Sequence, residues 1–356
     1  MVKFCARPAA AAMALLLLLP CAAVAGDPSQ VAMQMHIQNE ALHAINYGDD
    51  DALEKMSETL LQDKSQMPDG YWQLDCFYDT LGTFMIPQYR DQQLKIWQTT
   101  YAKWIAAYPK SRTAPIADAY VHFVIAWQDR GSGYANEVWK DAWAGFDLNM
   151  KEAQKILAAS KAATGSNPRW YALMIAVKGA LGAGPVKLLP LADEGLKTEP
   201  MNYSIATSMM TFLQPQWGGS PDLMEAWAKK AVELTRSTDG ESLYARLYWT
   251  AEDSSRIERF RTYKIDWARF KKATDDLLER YPSTGNIERA LKMACVSMDA
   301  DEVNKRYASL AKLAGPALRP SIVPTEYCRW PETAGPGVIT PEQFLKDSEP
   351  KKVRVN

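Results

Sequence analysis

Apolar residues recur every three or four positions along most of this chain, which is the spacing of an amphipathic α-helix. Residues 201–235 show the pattern most clearly. The first half of this stretch places Ile205, Met209 and Phe212 near helical spacing, and the second half carries an apolar stripe that includes Trp227. We therefore predict two helices here that pack against each other as a helical hairpin.

The segment between these two helices carries strong turn and capping signals. Pro215 should end the first helix, because proline disfavours the helical conformation of the residue before it. Gly218 and Gly219 allow a turn where a side chain would clash, and Ser220 is a good N-cap for the second helix. Trp217 lies inside this loop, where it either fills a gap between two hairpins or lines a groove; we favour the gap-filling role.

Proline and glycine separate the other helical segments in the same way, and no useful stretch alternates with the period of two that a strand requires. Two aromatic-rich helices end in the same dipeptide, Tyr108-Pro109 and Tyr281-Pro282. The fold class that we predict is all-α, a right-handed α-solenoid of degenerate tetratricopeptide-like helical hairpins. It forms a single domain over residues 26–330, followed by a polar, largely disordered tail over residues 331–356.

The first 25 residues have the pattern of a secretory signal peptide. Lys3 and Arg7 give a basic start, residues 9–19 form an apolar run, and an Ala-Val-Ala cleavage site ends at Ala25. A lipid anchor on Cys21 is disfavoured, because proline directly precedes that cysteine. No second long apolar run follows, so we predict a soluble mature protein that is periplasmic or secreted, with no transmembrane span.

The formal net charge of the whole chain is −1 at pH 7, and it becomes −3 without the signal peptide, which contains two basic residues and no acidic ones. A general nucleic-acid-binding protein needs a strongly basic face. A charge this close to neutral argues against that class, and we expect no nucleic-acid partner.

Three cysteines remain after cleavage, and an oxidising compartment would allow them to form a disulfide. Cys295 and Cys328 are the favoured pair, because both lie near the C-terminus and a short loop separates them. Cys76 falls within an aromatic helical stretch, where a buried free thiol is the favoured interpretation.

Histidine is scarce, which limits the metal sites that the sequence could encode. His36, Glu40 and His43 are spaced so that they share one face of a helix. They form a geometrically possible but weakly supported metal site, and partly exposed histidines are the favoured interpretation. His122 falls beside an apolar stripe and is predicted to be a hydrogen-bonded core histidine.

The chain lacks the sequence signatures of common catalytic and nucleotide-binding sites. It contains no HExxH, GxSxG, P-loop or CxxC motif. Acidic runs at residues 49–51, 252–253 and 275–276 are most simply helix caps and solvent-exposed faces. The Gly-Ser-Gly sequence after Arg130 favours a helix-ending turn over a phosphate-binding loop. We therefore predict no enzymatic activity and no bound cofactor.

Several segments together resemble a bacterial family of exported, tetratricopeptide-like proteins that is known as a domain of unknown function. The matching segments are RGSGYA at residues 130–135, FLQPQWGGS at residues 212–220, Tyr281-Pro282 with Asn286, Ala294-Cys295 with Asp299, and Cys328-Arg329-Trp330. The resemblance spans about residues 53–330, and its Trp-Gly-Gly-Ser piece is the most specific. The family has no established activity, so the resemblance implies a helical-repeat fold and export.

The sequence thus favours an exported interaction module with a protein or peptide partner in the cell envelope. The candidate residues, for either an interaction surface or a structural loop, are Arg130, Trp217, Gly218 and Gly219. The alternative is an envelope protein that binds or cleaves carbohydrate, suggested by twelve tryptophans and sixteen tyrosines. A glycan-binding groove would lose its best wall if Trp217, Trp227 and Trp267 were all buried.

Overall fold

The computed structural model describes residues 28–83, 90–131, 137–253 and 262–314, and this part of the chain is all-helical. No β-strand forms within these ranges, where one isolated antiparallel bridge joins Gln66 and Trp72. The prediction of an all-α fold is therefore confirmed. The predicted signal peptide and the predicted C-terminal tail lie outside the described residues.

Fourteen α-helices make up most of the described part, and none of them is both long and apolar enough to cross a bilayer. In chain order they are α1 (Pro28–Tyr47), α2 (Asp50–Asp63), α3 (Gln73–Thr83), α4 (Arg90–Ala107), α5 (Ala114–Arg130), α6 (Lys140–Thr164), α7 (Pro168–Ala180), α8 (Pro185–Thr198), α9 (Tyr203–Phe212), α10 (Pro221–Asp239), α11 (Ser242–Asp253), α12 (Trp267–Arg280), α13 (Thr284–Val296) and α14 (Ala300–Ala314). A short 3₁₀-helix, Pro215–Trp217, separates α9 from α10.

Inner and outer helices alternate in the middle of the chain. The inner helices α7 and α9 are buried on almost every side, and nine of the ten residues of α9 are buried. The outer helices α10 and α12 bury one stripe each and expose charged residues on the other face. This difference follows from the sequence, because α9 is apolar or small all round whereas α10 is amphipathic.

The loop between α9 and α10 has the turn that its sequence predicts. Gly218 takes a positive φ of 84° and ends the 3₁₀-helix. The side-chain oxygen of Ser220 accepts a hydrogen bond from the Leu223 backbone N–H at 3.2 Å, which confirms the predicted N-cap. Trp217 is half-buried, and its ring lies 5.1 Å from the Phe212 ring in an edge-to-face contact. Trp217 therefore packs against the core with part of its ring, and its gap-filling role stays a prediction.

Gly219→Ala is expected to destabilise the protein by about 2–3 kcal/mol, the upper part of the range for overpacking a tight site. A Cβ atom at this position would lie 1.8 Å from the backbone oxygen of Leu213, so the loop would have to shift. Urea denaturation of the two proteins measures the change. Gly184→Ala is the matched control, because a Cβ there meets open space. Equal stabilities for Gly219→Ala and the control would contradict this account of the loop.

Residues 64–72, between α2 and α3, form a hairpin loop that reaches the opposite end of the described chain. At its tip, the backbone oxygen of Asp69 accepts hydrogen bonds from Arg246 Nη2 in α11 at 2.6 Å and from Asn286 Nδ2 in α13 at 3.1 Å. The hairpin loop therefore ties α2 and α3 to helices that lie about two hundred residues further along the chain.

Candidate functional site

The tryptophans distinguish one surface of this protein from the rest. Seven are buried, namely Trp72, Trp97, Trp104, Trp127, Trp170, Trp227 and Trp249. Trp143, Trp217 and Trp267 are half-buried against the core, and Trp330 lies outside the described residues. Trp139 is 84% exposed, so it alone among the described tryptophans presents its ring to solvent. Exposed large aromatic residues are enriched where proteins bind partners.

Trp139 belongs to a corner where α5 ends and α6 begins. The Arg130 guanidinium carbon lies 5.3 Å from the centre of the Trp127 ring and 5.0 Å from that of Trp143. Trp143 in turn lies one helical turn after Trp139, and its backbone N–H donates to the Trp139 carbonyl at 3.2 Å. We call Arg130, Trp143 and Trp139 together the α5–α6 corner.

The core holds the base of the α5–α6 corner in place. Trp127 is buried, and its ring packs edge-to-face against Phe146 of α6 at 5.1 Å. Gly131 ends α5 with a φ of 72°, and its N–H donates to the Trp127 carbonyl at 2.9 Å. This confirms the predicted helix-ending turn at Gly131, while Ser132 and Gly133 lie outside the described residues. The end of α5 that carries Arg130 is therefore packed against α6.

Partial burial of Arg130 lowers the pKa of its guanidinium group below the ordinary value. An arginine remains protonated under all ordinary conditions. The α5–α6 corner therefore offers a fixed positive charge between two indole rings and an exposed indole beside it. Arginine and tryptophan are the residue types most often found at the energetic centre of protein interfaces.

The possible metal site on α1 is not supported. His36, Glu40 and His43 are all exposed, and His43 instead packs against Tyr47 with ring centres 4.5 Å apart. Among the residues that the structure describes, no three His, Cys, Asp or Glu side chains come together as a metal-ligand set. A shared helix face is not enough to predict a metal site, because the ligand atoms must also converge on one point.

His122 is half-buried between α5 and α6, with Nδ1 3.0 Å from Asn149 Oδ1, as predicted for a hydrogen-bonded core histidine. It takes part in helix packing and lies apart from the exposed residues of the α5–α6 corner.

The acidic runs act as caps and ion pairs where the structure describes their side chains. Asp49 accepts a hydrogen bond from the Ala52 N–H at the start of α2. Asp275 pairs with Lys305 at 2.7 Å, and Asp276 pairs with Lys272 at 2.8 Å. These carboxylates stabilise helix starts and helix packing, as the sequence predicts. The side chains at residues 252–253 lie outside the described set.

A cleft of about 390 Å³ lies between α2 and the turn before α5. Its two carboxylates are already engaged. Glu54 accepts from Trp104 Nε1 and Ser111 Oγ, each at 2.7 Å, and Glu58 pairs with Arg112 at 2.5 Å. These contacts join α2 to α4 and to the turn before α5.

Two buried arginines form polar clusters that the sequence analysis did not identify. Arg169 of α7 lies 2.5 Å from Asp79 and 3.5 Å from Asp75, both on α3. Arg246 of α11 is surrounded by the rings of three tyrosines at 4.6–5.3 Å, namely Tyr71, Tyr203 and Tyr281. Both guanidinium groups are closed off from solvent. They therefore hold helices together and do not meet a ligand from solution.

Cys76 in α3 and Cys295 near the end of α13 are both buried. Both are disulfide-bonded, so Cys76 is not the free thiol that the sequence favoured. Cys328, the predicted partner of Cys295, lies outside the described residues, and that pairing stays a prediction.

The chain matches no family model, no curated protein and no solved structure. Any account of its function therefore rests on its own residues and their geometry.

Proposed function

We propose that this chain is an exported helical-repeat module that binds a protein partner through the α5–α6 corner. The observation that carries the proposal is the 84% exposure of Trp139 in a molecule that packs its other described tryptophans into the core. An indole that a partner covers contributes strongly to affinity, and tryptophan is enriched at the energetic centre of interfaces. Export follows from the predicted signal peptide.

We infer in addition that the helical hairpins stack as a right-handed solenoid of tetratricopeptide-like units. In support, each odd-numbered helix from α1 to α9 contacts the next odd-numbered helix, as stacked hairpins do. The hairpin loop at residues 64–72 packs on α11 and α13 through Asp69, so it occupies part of the inner side of such a stack. The partner surface therefore lies on an outer corner of the molecule.

The α5–α6 corner favours a protein partner over a glycan. Sugar-binding grooves generally need several exposed aromatic rings with polar side chains beside them, whereas Trp227 is buried and Trp217 packs on Phe212. Trp267 stacks on Phe270 with ring centres 5.0 Å apart and donates its indole N–H to Asp299 at 2.7 Å. These three rings form no exposed wall.

Trp139→Ala is expected to abolish partner capture without changing stability. An exposed side chain adds little to the folded state, so the free energy of unfolding should change by less than about 0.5 kcal/mol. Loss of an interface tryptophan typically costs about 2 kcal/mol or more in binding, which is roughly a thirtyfold loss of affinity. Urea denaturation of the wild type and Trp139→Ala measures the stability. Photo-crosslinking in the producing cell, with a photoreactive phenylalanine in place of Trp139 and mass spectrometry of the adduct, identifies the partner. Titration of that partner against the wild type and Trp139→Ala then measures the loss of affinity.

Tyr47 is the matched control, because it is 78% exposed and aromatic but lies on α1. A protein adduct at position 139 that is absent at position 47, and that Arg130→Ala weakens, is the expected result. Adducts that are the same at both positions, or no protein adduct at position 139, would refute the proposed surface.

A further inference from the structure

Glu288 of α13 keeps its carboxyl group away from both water and hydrogen-bond donors. Its two carboxyl oxygens are inaccessible to solvent, and neither accepts a hydrogen bond. The residue as a whole is half-buried, so the accessible part of Glu288 is not its carboxyl group. Long charged side chains usually show the reverse arrangement, in which the stem covers apolar surface and the charged end stays in water.

The elements that pack against α13 provide no cation for this carboxyl group. They are α12, α14 and, through Asn286, the hairpin loop. Most of their charged side chains form ion pairs, namely Arg269–Glu241, Lys271–Asp299, Lys272–Asp276, Arg280–Asp239, Lys305–Asp275, Arg306–Asp275, Arg306–Glu302 and Lys64–Glu199. Glu279, Asp301 and Lys312 are exposed, and Asp69 accepts a hydrogen bond from Gln30. Among the described residues, no cation pairs with Glu288.

Within α13 itself, the two cations are Arg289 and Lys292. Lys292 follows Glu288 by four residues, a spacing at which Glu and Lys often pair on a helix. Both cations make contacts with other groups, and Arg289 lies within electrostatic reach of Asp69. Tyr307 of α14 stays neutral, because burial raises the pKa of its phenol. An ionised Glu288 would therefore be an enclosed charge without a counter-ion.

The environment of Glu288 determines when this group ionises. An enclosed carboxylate without a counter-ion is costly, and the carboxyl group avoids that cost by keeping its proton. Burial accordingly raises the pKa of Glu288 to about 7. In the unfolded chain a glutamate titrates at about pH 4.3. Between these two pH values the folded state therefore binds more protons than the unfolded state.

We propose that Glu288 is a pH-sensitive switch: it holds a proton in the folded protein at mildly acidic pH, and losing this proton as the pH rises turns the carboxylate towards water and loosens α13 from α12 and α14. Because part of Glu288 is already accessible, the carboxylate has only a short way to reach solvent. The free energy of unfolding should decrease as the pH rises to about 7, since the folded state has to give up a proton that the unfolded state has already lost.

The first test compares urea denaturation of the wild type, Glu288→Gln and Glu288→Met at half-unit steps from pH 5 to pH 8. Glutamine keeps the shape of the side chain, and neither variant can ionise. The folding equilibrium constant of the wild type should fall nearly tenfold per pH unit relative to each variant between pH 5 and pH 6.5, which is the slope for one proton. Glu279→Gln is the matched control, because Glu279 is an exposed glutamate on the neighbouring helix α12. Its curve should run parallel to that of the wild type.

Amide hydrogen exchange at residues 284–296, corrected for the pH dependence of intrinsic exchange, tests the loosening of α13. Between pH 6 and pH 8 this exchange should speed up more in the wild type than in Glu288→Met.

Stability curves of the wild type and both Glu288 variants that run parallel, or exchange in α13 that responds to pH equally in the wild type and Glu288→Met, would overturn the proposal. If neither variant folds, carbon-13 NMR titration of the glutamate carboxyl groups of the wild type decides the question. A glutamate that titrates above pH 6 supports the switch, and a set of glutamates that all titrate below pH 6 refutes it.

Discussion

Arg169→Met is expected to lower the free energy of unfolding at pH 8 by about 3–5 kcal/mol, the usual cost of breaking a buried ion pair from one side. The variant removes this cation from beside the buried carboxyl groups of Asp75 and Asp79. The loss should be smaller at pH 5, because burial raises the pKa of Asp79 to about 7 and that of Asp75 to about 6, and the two carboxyl groups are then largely protonated. Urea denaturation at both pH values measures the two losses.

Lys151→Met provides the control for this first prediction. Lys151 lies on α6 and pairs with Asp147 at 3.3 Å, and both side chains are more than half exposed. An exposed pair contributes about 0–1 kcal/mol, so this variant should stay close to the wild type. An Arg169→Met protein as stable as Lys151→Met at pH 8 would show that the buried cation is dispensable.

Arg246→Met is expected to cost about 3–4 kcal/mol, through lost contacts between the cation and three aromatic rings and a lost hydrogen bond. Arg246 lies 4.8 Å from the Tyr71 ring and donates to the Asp69 carbonyl at 2.6 Å, so it holds the hairpin loop against α11. Amide hydrogen exchange should therefore speed up most at residues 64–72. Denaturation and exchange mass spectrometry give the two readouts.

Lys64→Met is the matched control on the same hairpin loop. Lys64 lies 5.9 Å from the centre of the Trp72 ring and pairs with Glu199, and its side chain is half exposed. Its loss should cost less than about 1 kcal/mol. Faster exchange at residues 64–72 in Lys64→Met, with none in Arg246→Met, would reverse the roles that the structure gives to these two side chains.

The helices could be predicted from the sequence because the residues that start, end and pattern a helix lie close together in the chain. Residues 201–235 predict a helix, a tight loop and a second helix, and the structure has α9 and α10 with Ser220 as the N-cap. The requirement for glycine at position 219 also follows from this local pattern. Apolar spacing, proline and glycine act within a few residues, so one sequence is enough to predict their effect.

The buried arginine clusters could not be predicted from the sequence, because the residues that contact each arginine are far from it in the chain. Arg169 and Asp75 are 94 residues apart, and Arg246 and Asp69 are 177 apart. No spacing rule connects positions so distant. The only local sign is the i, i+4 pair of aspartates on α3, which a single sequence does not distinguish from a solvent-exposed face.

Trp139 was missed for a related reason. It precedes Trp143 by one helical turn, so the spacing places both rings on one face and suggests that both pack in the core. In the structure, the Trp143 ring packs against the Arg130 guanidinium group, whereas Trp139 directly precedes α6 and is exposed. The sequence makes Arg130 a candidate, whereas the exposure of Trp139 depends on where helices α5 and α6 diverge.

The hairpin loop has a consequence for how the molecule unfolds. An open array of helical repeats frays from its ends, because each unit contacts only its neighbours. Here Asp69 bonds to Arg246 and Asn286, so helices early and late in the chain stabilise each other directly. Deleting the terminal helices at either end should therefore unfold the remaining helices as well, rather than leave a folded protein that is one unit shorter.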